Sequence, residues 1–165
     1  MNSKKITLLV WGFASLSAGL ILFVSFVGGF KKNPGFYLPI TIVYIVLGGL
    51  LAIRNPKNAI GWIFLISIFL LVSNEVMVWY TKLGLEVNPG SLPAADVVAA
   101  VMGLFEYLGY GLLLIFPFLL FPNGQLISRR WRPVLWFAGA AFVFLGIDIF
   151  HPGPLSAFPD WENPL

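Results

Sequence analysis

Few residues in this chain can carry chemistry. It has no cysteine and a single histidine, His151, so a disulfide framework, a thiolate zinc site and a cysteine nucleophile are all excluded. His151 stands in a His-Pro-Gly-Pro run that cannot be helical. It reads as a solvated loop residue rather than a metal ligand or switch. No glycine-rich nucleotide loop follows a strand, and no metal set or cofactor is implied. What remains is carboxylate chemistry. Glu75, Asp96, Glu106 and Asp148 lie inside or at the ends of apolar runs, where a carboxylate can bind a cation or exchange a proton.

Glu106 stands out among them. It lies within AADVVAAVMGLFEYLGYGLLLIFPFLLF, residues 94–121, nine residues beyond Val97. That distance is about 14 Å along a helix, close to the midplane of a hydrocarbon core about 30 Å thick. A carboxylate at that depth is costly and usually faces a bundle interior or a wet cavity. Its helical neighbours Ala99, Ala100, Gly103, Tyr107 and Tyr110 form one small and polar face, so an inward orientation is expected. There Glu106 would take up a proton, bind a cation, or accept hydrogen bonds from Tyr and Asn side chains. Together with Glu75, Asp96 and Asp148 it would line a cavity shared with Asn74, Tyr107 and Tyr110 and suited to a cationic or amphipathic ligand. The plainer reading of Glu75, Asp96 and Asp148 is a position near a span end, where charge costs little.

The elements that hold these residues are apolar. The chain has 165 residues, 59% hydrophobic and 10% charged, against about 25% charged in an ordinary soluble domain. Such a chain cannot cover a soluble surface with polar groups, so the composition points to a single integral membrane domain. The net charge of +3 does not signal nucleic acid. Its basic residues fall in pairs and triplets between apolar runs, as membrane-flanking charges do.

Five apolar segments are expected as spans of an all-α bundle, at about residues 6–30, 36–53, 60–80, 94–121 and 133–150. The first follows Lys4 and Lys5 and is too long for a signal-peptide core, so it is read as a retained helix. Its Ala14, Ser15, Ala18 and Gly19 form a small-residue face suited to packing within the molecule. Pro39 and Gly48-Gly49 interrupt the second span. Trp62, Trp79 and Tyr80 fit interfacial belts at the two ends of the third. Residues 81–93 read as a long loop, Pro117 as a bend in the fourth span, and the proline-rich tail as non-helical. No strand is expected.

Seven basic residues flank one side (Lys4, Lys5, Arg54, Lys57, Arg129, Arg130 and Arg132) and three the other (Lys31, Lys32 and Lys82). The positive-inside bias then puts the N-terminus in the cytoplasm and the C-terminal tail outside. Arg129, Arg130 and Arg132 can engage anionic headgroups while Trp131 sits at headgroup depth. Their topological role outweighs that of a regulatory lipid site.

Two turns carry a resemblance. Residues 54–62, RNPKNAIGW, resemble the R-x-x-x-N-P-I-G-W turn that opens a helix in many bacterial sensor histidine kinases. Residues 120–132, LFPNGQLISRRWR, resemble their L-F-P-D-G-R-L-P-S-R-R-W-R loop, and Asn163-Pro164-Leu165 their N-P-L-G. Ala59, Asn123 and Gln125 depart from the usual Pro, Asp and Arg. The resemblance implies an N-terminal membrane sensor region in a bacterial plasma membrane, with a homodimer, a cytoplasmic kinase region and a response regulator as partners of a longer chain. Residues 1–165 contain no phosphoacceptor helix or ATP-binding domain and no catalytic machinery, so an outside tail would need a further span before a kinase. The alternatives are a small transporter or ion-conducting subunit built around Glu106, or a ligand-free structural membrane protein.

Overall fold

A computed structural model describes residues 3–27, 34–126, 128–147, 150, 153–155 and 158–165. The chain is helical. α1 (Ser3–Val27), α2 (Pro34–Arg54), α3 (Ala59–Thr81) and α4 (Ala95–Leu114) are followed by a short α5 (Phe116–Leu120) and by α6 (Arg132–Ile147). Three helical stretches are long and apolar enough to cross a membrane: Lys4–Val27 with 24 residues, Ala59–Val87 with 29 and Ala95–Leu120 with 26. The described apolar part of α2, Leu38–Arg54, and the 16-residue α6 are shorter. Five elements were expected to span; three meet the length. Lys31, Lys32, Asp148 and His151 lie outside the described residues.

α3 is the central helix, packed against α1, α2 and α4. α1 runs parallel to it, and two edge-on ring contacts mark the register: Phe13 with Phe69 at 5.8 Å and Phe23 with Trp79 at 5.4 Å. α2 and α3 form a hairpin that closes on glycine. A Cβ added to Gly61 would lie 2.6 Å from the Ala52 backbone nitrogen and 2.9 Å from the Gly48 carbonyl oxygen. Only a hydrogen fits there, which is how small residues let helix backbones approach. Ile6, Val10, Ala52 and Leu65 close the core beside this crossing. Gly48 and Gly49 therefore do not interrupt α2, and Pro39 also lies within the helix.

The small-residue face of α1 is oriented otherwise than expected. Ser15, Ala18 and Gly19 are exposed, and among the described residues no atom of another element lies within 4 Å of where a Cβ on Gly19 would stand. Larger side chains on the opposite side, Ile6, Val10 and Phe13, make the contacts with the core. Ser17, 1% exposed, is the small residue of α1 that is buried with them.

The loop expected over 81–93 is mostly helical. The chain continues past Thr81 as a π-helical turn, Lys82–Val87, in which Asn88 N–H bonds the Leu83 carbonyl at 2.9 Å. Gly84 lets the returning segment close on this turn, because a Cβ there would meet Ala95 Cβ at 2.8 Å and Leu92 Cβ at 3.1 Å. Tyr80 Oη donates to the Pro93 carbonyl at 2.8 Å and ties the return to the helix end. α4 breaks after Leu114, and α5 resumes with Pro117 in its first turn. Proline lacks an N–H and clashes with the carbonyl four residues back, so the bend falls where expected.

The tail departs from the all-helical expectation. β1 (Pro154–Leu155) and β2 (Phe158–Glu162) form an antiparallel pair. Leu155 and Phe158 join Leu85, Ala95, Ala99 and Met102 in a second core, so the hairpin caps the end of the bundle where α3 finishes and α4 begins. The motif has two short strands, and proline within them masked the alternation that marks a strand.

Candidate functional site

Two turns meet at the opposite end of the bundle. Asn58 precedes α3 and is nearly fully buried, 6% exposed. Its Oδ1 accepts from Ile60 N–H at 3.0 Å and caps the helix, while its Nδ2 donates to the Pro122 carbonyl at 3.0 Å. One amide thus satisfies an orphan donor of α3 and an orphan acceptor beyond α5. Gly124 sits directly on Asn58 and Ala59 with φ +73, and a Cβ there would fall 2.6 Å from Ala59 N. Glycine is required on both counts. Trp62 Nε1 donates to the Pro56 carbonyl at 3.3 Å across the first turn. Two of the three segments that carry the resemblance, 54–62 and 120–132, are therefore one structural unit, joined by Asn58.

Sequence reasoning singled out both turns but not this bond. An Asn before an apolar run does signal a cap; its second partner, 64 residues away, leaves no local trace. Asn58→Ala should lose the cap and the cross-turn bond, each about 1 kcal/mol. Asn58→Asp remains a good cap but sets a buried carboxylate oxygen against the Pro122 carbonyl, and that repulsion offsets the retained cap, so thermal unfolding in detergent should find it no more stable than Asn58→Ala. Wild-type stability in Asn58→Asp would show that the cross-turn bond contributes nothing.

Arg129, Arg130 and Trp131 form a short 3-10 turn leading into α6, and these three residues and Arg132 are all exposed. Such an arrangement leaves three guanidinium groups and an indole facing outward at the end of the bundle that carries the Asn58 turn.

Three of the four carboxylates, Glu75, Asp96 and Glu106, are described. Asp96 lies in the first turn of α4, where a negative charge complements the helix dipole, and its Oδ1 accepts from Val97 N–H at 2.9 Å. Its place is structural. Glu106, ten residues on and about 15 Å further along, is exposed, as are Tyr107 (51%) and Tyr110 (42%). The inward orientation expected for Glu106 is thus corrected. The buried residues of α4 are Ala95, Ala99, Met102, Gly109, Gly111 and Leu113. Leu71 of α3 is seated on Gly109 and Thr81 lies beside Met102. Leu85, Leu155 and Phe158 join Ala95, Ala99 and Met102, and Phe142 of α6 lies on Gly111. Gly103, Tyr107 and Tyr110 lie on the neighbouring face, and Glu106 stands at its edge.

The same register sets Asn74 and Glu75 of α3 at the height of Glu106. Glu75 is exposed, whereas Asn74 is 6% exposed and its buried Oδ1 has no hydrogen-bond partner among the described residues. Thr81 and Ser67, also buried, instead bond back to carbonyls of their own helix. Among the described residues no group of three or more His, Asp or Glu could hold a metal ion. The surface hollow that is described lies elsewhere, lined by Lys4, Thr7, Leu8 and Trp11 on α1. Glu106, Tyr107 and Tyr110 are brought together as a stripe; Asp96 is remote from them; Asp148 lies outside the described residues.

Comparison with protein-family models, with curated proteins and with solved structures gave no match to this chain.

Proposed function

We propose that the chain is a membrane-embedded sensory module, the input region of a signalling protein of the sensor histidine kinase type in a bacterial plasma membrane. In this reading α1, α2, α3, α4 with α5, and α6 cross the bilayer, and the end carrying Asn58 and the arginines faces the cytoplasm. The observation that supports it best is the Asn58 bond to Pro122, which joins the two kinase-like turns into a single unit. A stimulus that shifts α4 against α3 would be felt at that unit, because α3 begins at it and α5, which follows α4, ends at it. The module itself transfers no phosphoryl group; that chemistry belongs to a cytoplasmic kinase region and its response regulator.

Sequencing the gene through the codon for Leu165 and beyond tests the proposal. The expected reading frame continues through at least one more apolar segment into a helix with a phosphoacceptor histidine and an ATP-binding domain. A frame that ends without them would contradict it.

A further inference from the structure

Asn74 is 6% exposed, and its buried Oδ1 has no hydrogen-bond partner among the described residues. An orphaned acceptor is costly in any interior, and more so at membrane depth. Two contacts fix what lies across from it. Leu71 of α3 packs on Gly109 of α4, and Thr81 Oγ1 lies 3.8 Å from Met102 Sδ, so the two helices run antiparallel. Asn74 is three residues from Leu71 toward Thr81, and Glu106 is three residues from Gly109 toward Met102. Each therefore stands about 4.5 Å along its axis from the same contact, in the same direction. The buried Ala95, Ala99, Met102, Gly109 and Leu113 of α4 recur at steps of three and four, apart from one step of seven after Met102. Glu106 is the residue that divides that step. It is level with Asn74 at the edge of the α3–α4 seam, with its side chain exposed. Both residues lie near the centres of their apolar stretches, Ala59–Val87 and Ala95–Leu120.

We infer that Asn74 and Glu106 form a binding site for one monovalent metal cation, which bridges α3 and α4 at the middle of the bilayer. The inference rests on the membrane reading above and gives its stimulus a chemical class. An amide oxygen and a carboxylate oxygen are the ligands a hard cation takes. No lysine or arginine lies within α3 or α4, so neither helix supplies a counter-charge, and a carboxylate at that depth is costly without one. Glu75, the next residue to Asn74, already holds another partner, which leaves Glu106 as the charged ligand. One positive charge balances it. A divalent ion would carry excess charge into hydrocarbon, and among the described residues no group of three or more His, Asp or Glu could hold it. Leu71 atoms stand 2.7 Å from where a Cβ on Gly109 would lie, so the helices are close one turn away, a spacing that favours a bare ion over an organic ammonium. At Gly103 an added Cβ would meet only the Tyr107 ring among the described residues, at 3.7 Å. That leaves space beside Glu106 for the waters that complete the ion's shell.

Thermal unfolding of the chain in detergent tests this, with sodium or potassium chloride compared against choline chloride at equal ionic strength. Saturating sodium or potassium should raise the unfolding temperature by about 3 °C or more over choline. Glu106→Gln and Asn74→Leu should each abolish that difference, whereas Asp96→Asn should retain it. An Asn74 with a packing role alone would shift the unfolding temperature equally in all three salts. If Glu106→Gln does not fold, Asn74→Leu, which removes the acceptor and keeps a branched side chain, gives the same reading. The same unfolding temperature in all three salts, a shift produced by calcium alone, or a difference that survives in Asn74→Leu would overturn the inference. Alkaline carbonate extraction of native membranes separates the two failures: release of the chain defeats the membrane reading, whereas retention without a cation-specific shift defeats the site alone.

Discussion

Leucine at Gly61 should prevent α2 and α3 from closing, and with them the bundle. The site has backbone on both sides: Ala52 N and the Gly48 carbonyl oxygen lie within 3 Å of any Cβ placed there, with Leu51 Cβ at 3.0 Å. No flexible side-chain end can give way, so the helices must separate and lose the packing of Ala52 and Leu65 as well. A cost of about 3 kcal/mol is expected from overpacking of this kind, a large share of the stability of a small domain. The chain should elute as aggregate and unfold at much lower temperature in detergent. Gly12→Ala and Gly19→Ala are the controls. Among the described residues nothing stands within 4 Å of either added methyl, and alanine is the better helix former by about 0.5–1 kcal/mol, so these variants should equal or exceed the parent.

Replacing Arg129, Arg130 and Arg132 together with asparagine should scramble insertion. In the proposed orientation seven basic residues face the cytoplasm and three the outside; the triple variant leaves four against three. Orientation follows this bias in short loops, so reporter fusions should report mixed topology. The arginines are exposed in a 3-10 turn, and their loss opens no cavity. A variant that inserts normally yet loses signalling would assign the arginines a direct regulatory contact instead.

Helix positions were legible because length and apolarity are local properties, and the breaks at Asn58 and Pro117 follow from capping and from proline geometry. Facing was not. Small side chains on α1 and around Glu106 suggested buried faces, yet Gly19 and Glu106 are both exposed. A helix whose whole circumference is apolar carries no periodic signal to mark its packed side. The glycines that do mark close contact, Gly61, Gly84 and Gly109, are each set by a neighbour on another segment, which no local pattern announces. The β-hairpin was lost to its prolines, and the π-helical turn to a composition rich in loop residues. At the site, the two turns were recognised from their residues, but their union through Asn58 depends on a contact 64 positions apart.

The central claim is a membrane bundle with the Asn58 turn and the arginines inside the cell. Single cysteines at Asn88 and Asn123, both exposed and at opposite ends of the molecule, test it directly. In intact cells a membrane-impermeant maleimide should label Asn88→Cys and leave Asn123→Cys unlabelled until the membrane is opened. Labelling of Asn123→Cys with protection of Asn88→Cys, or equal labelling of both, would contradict it.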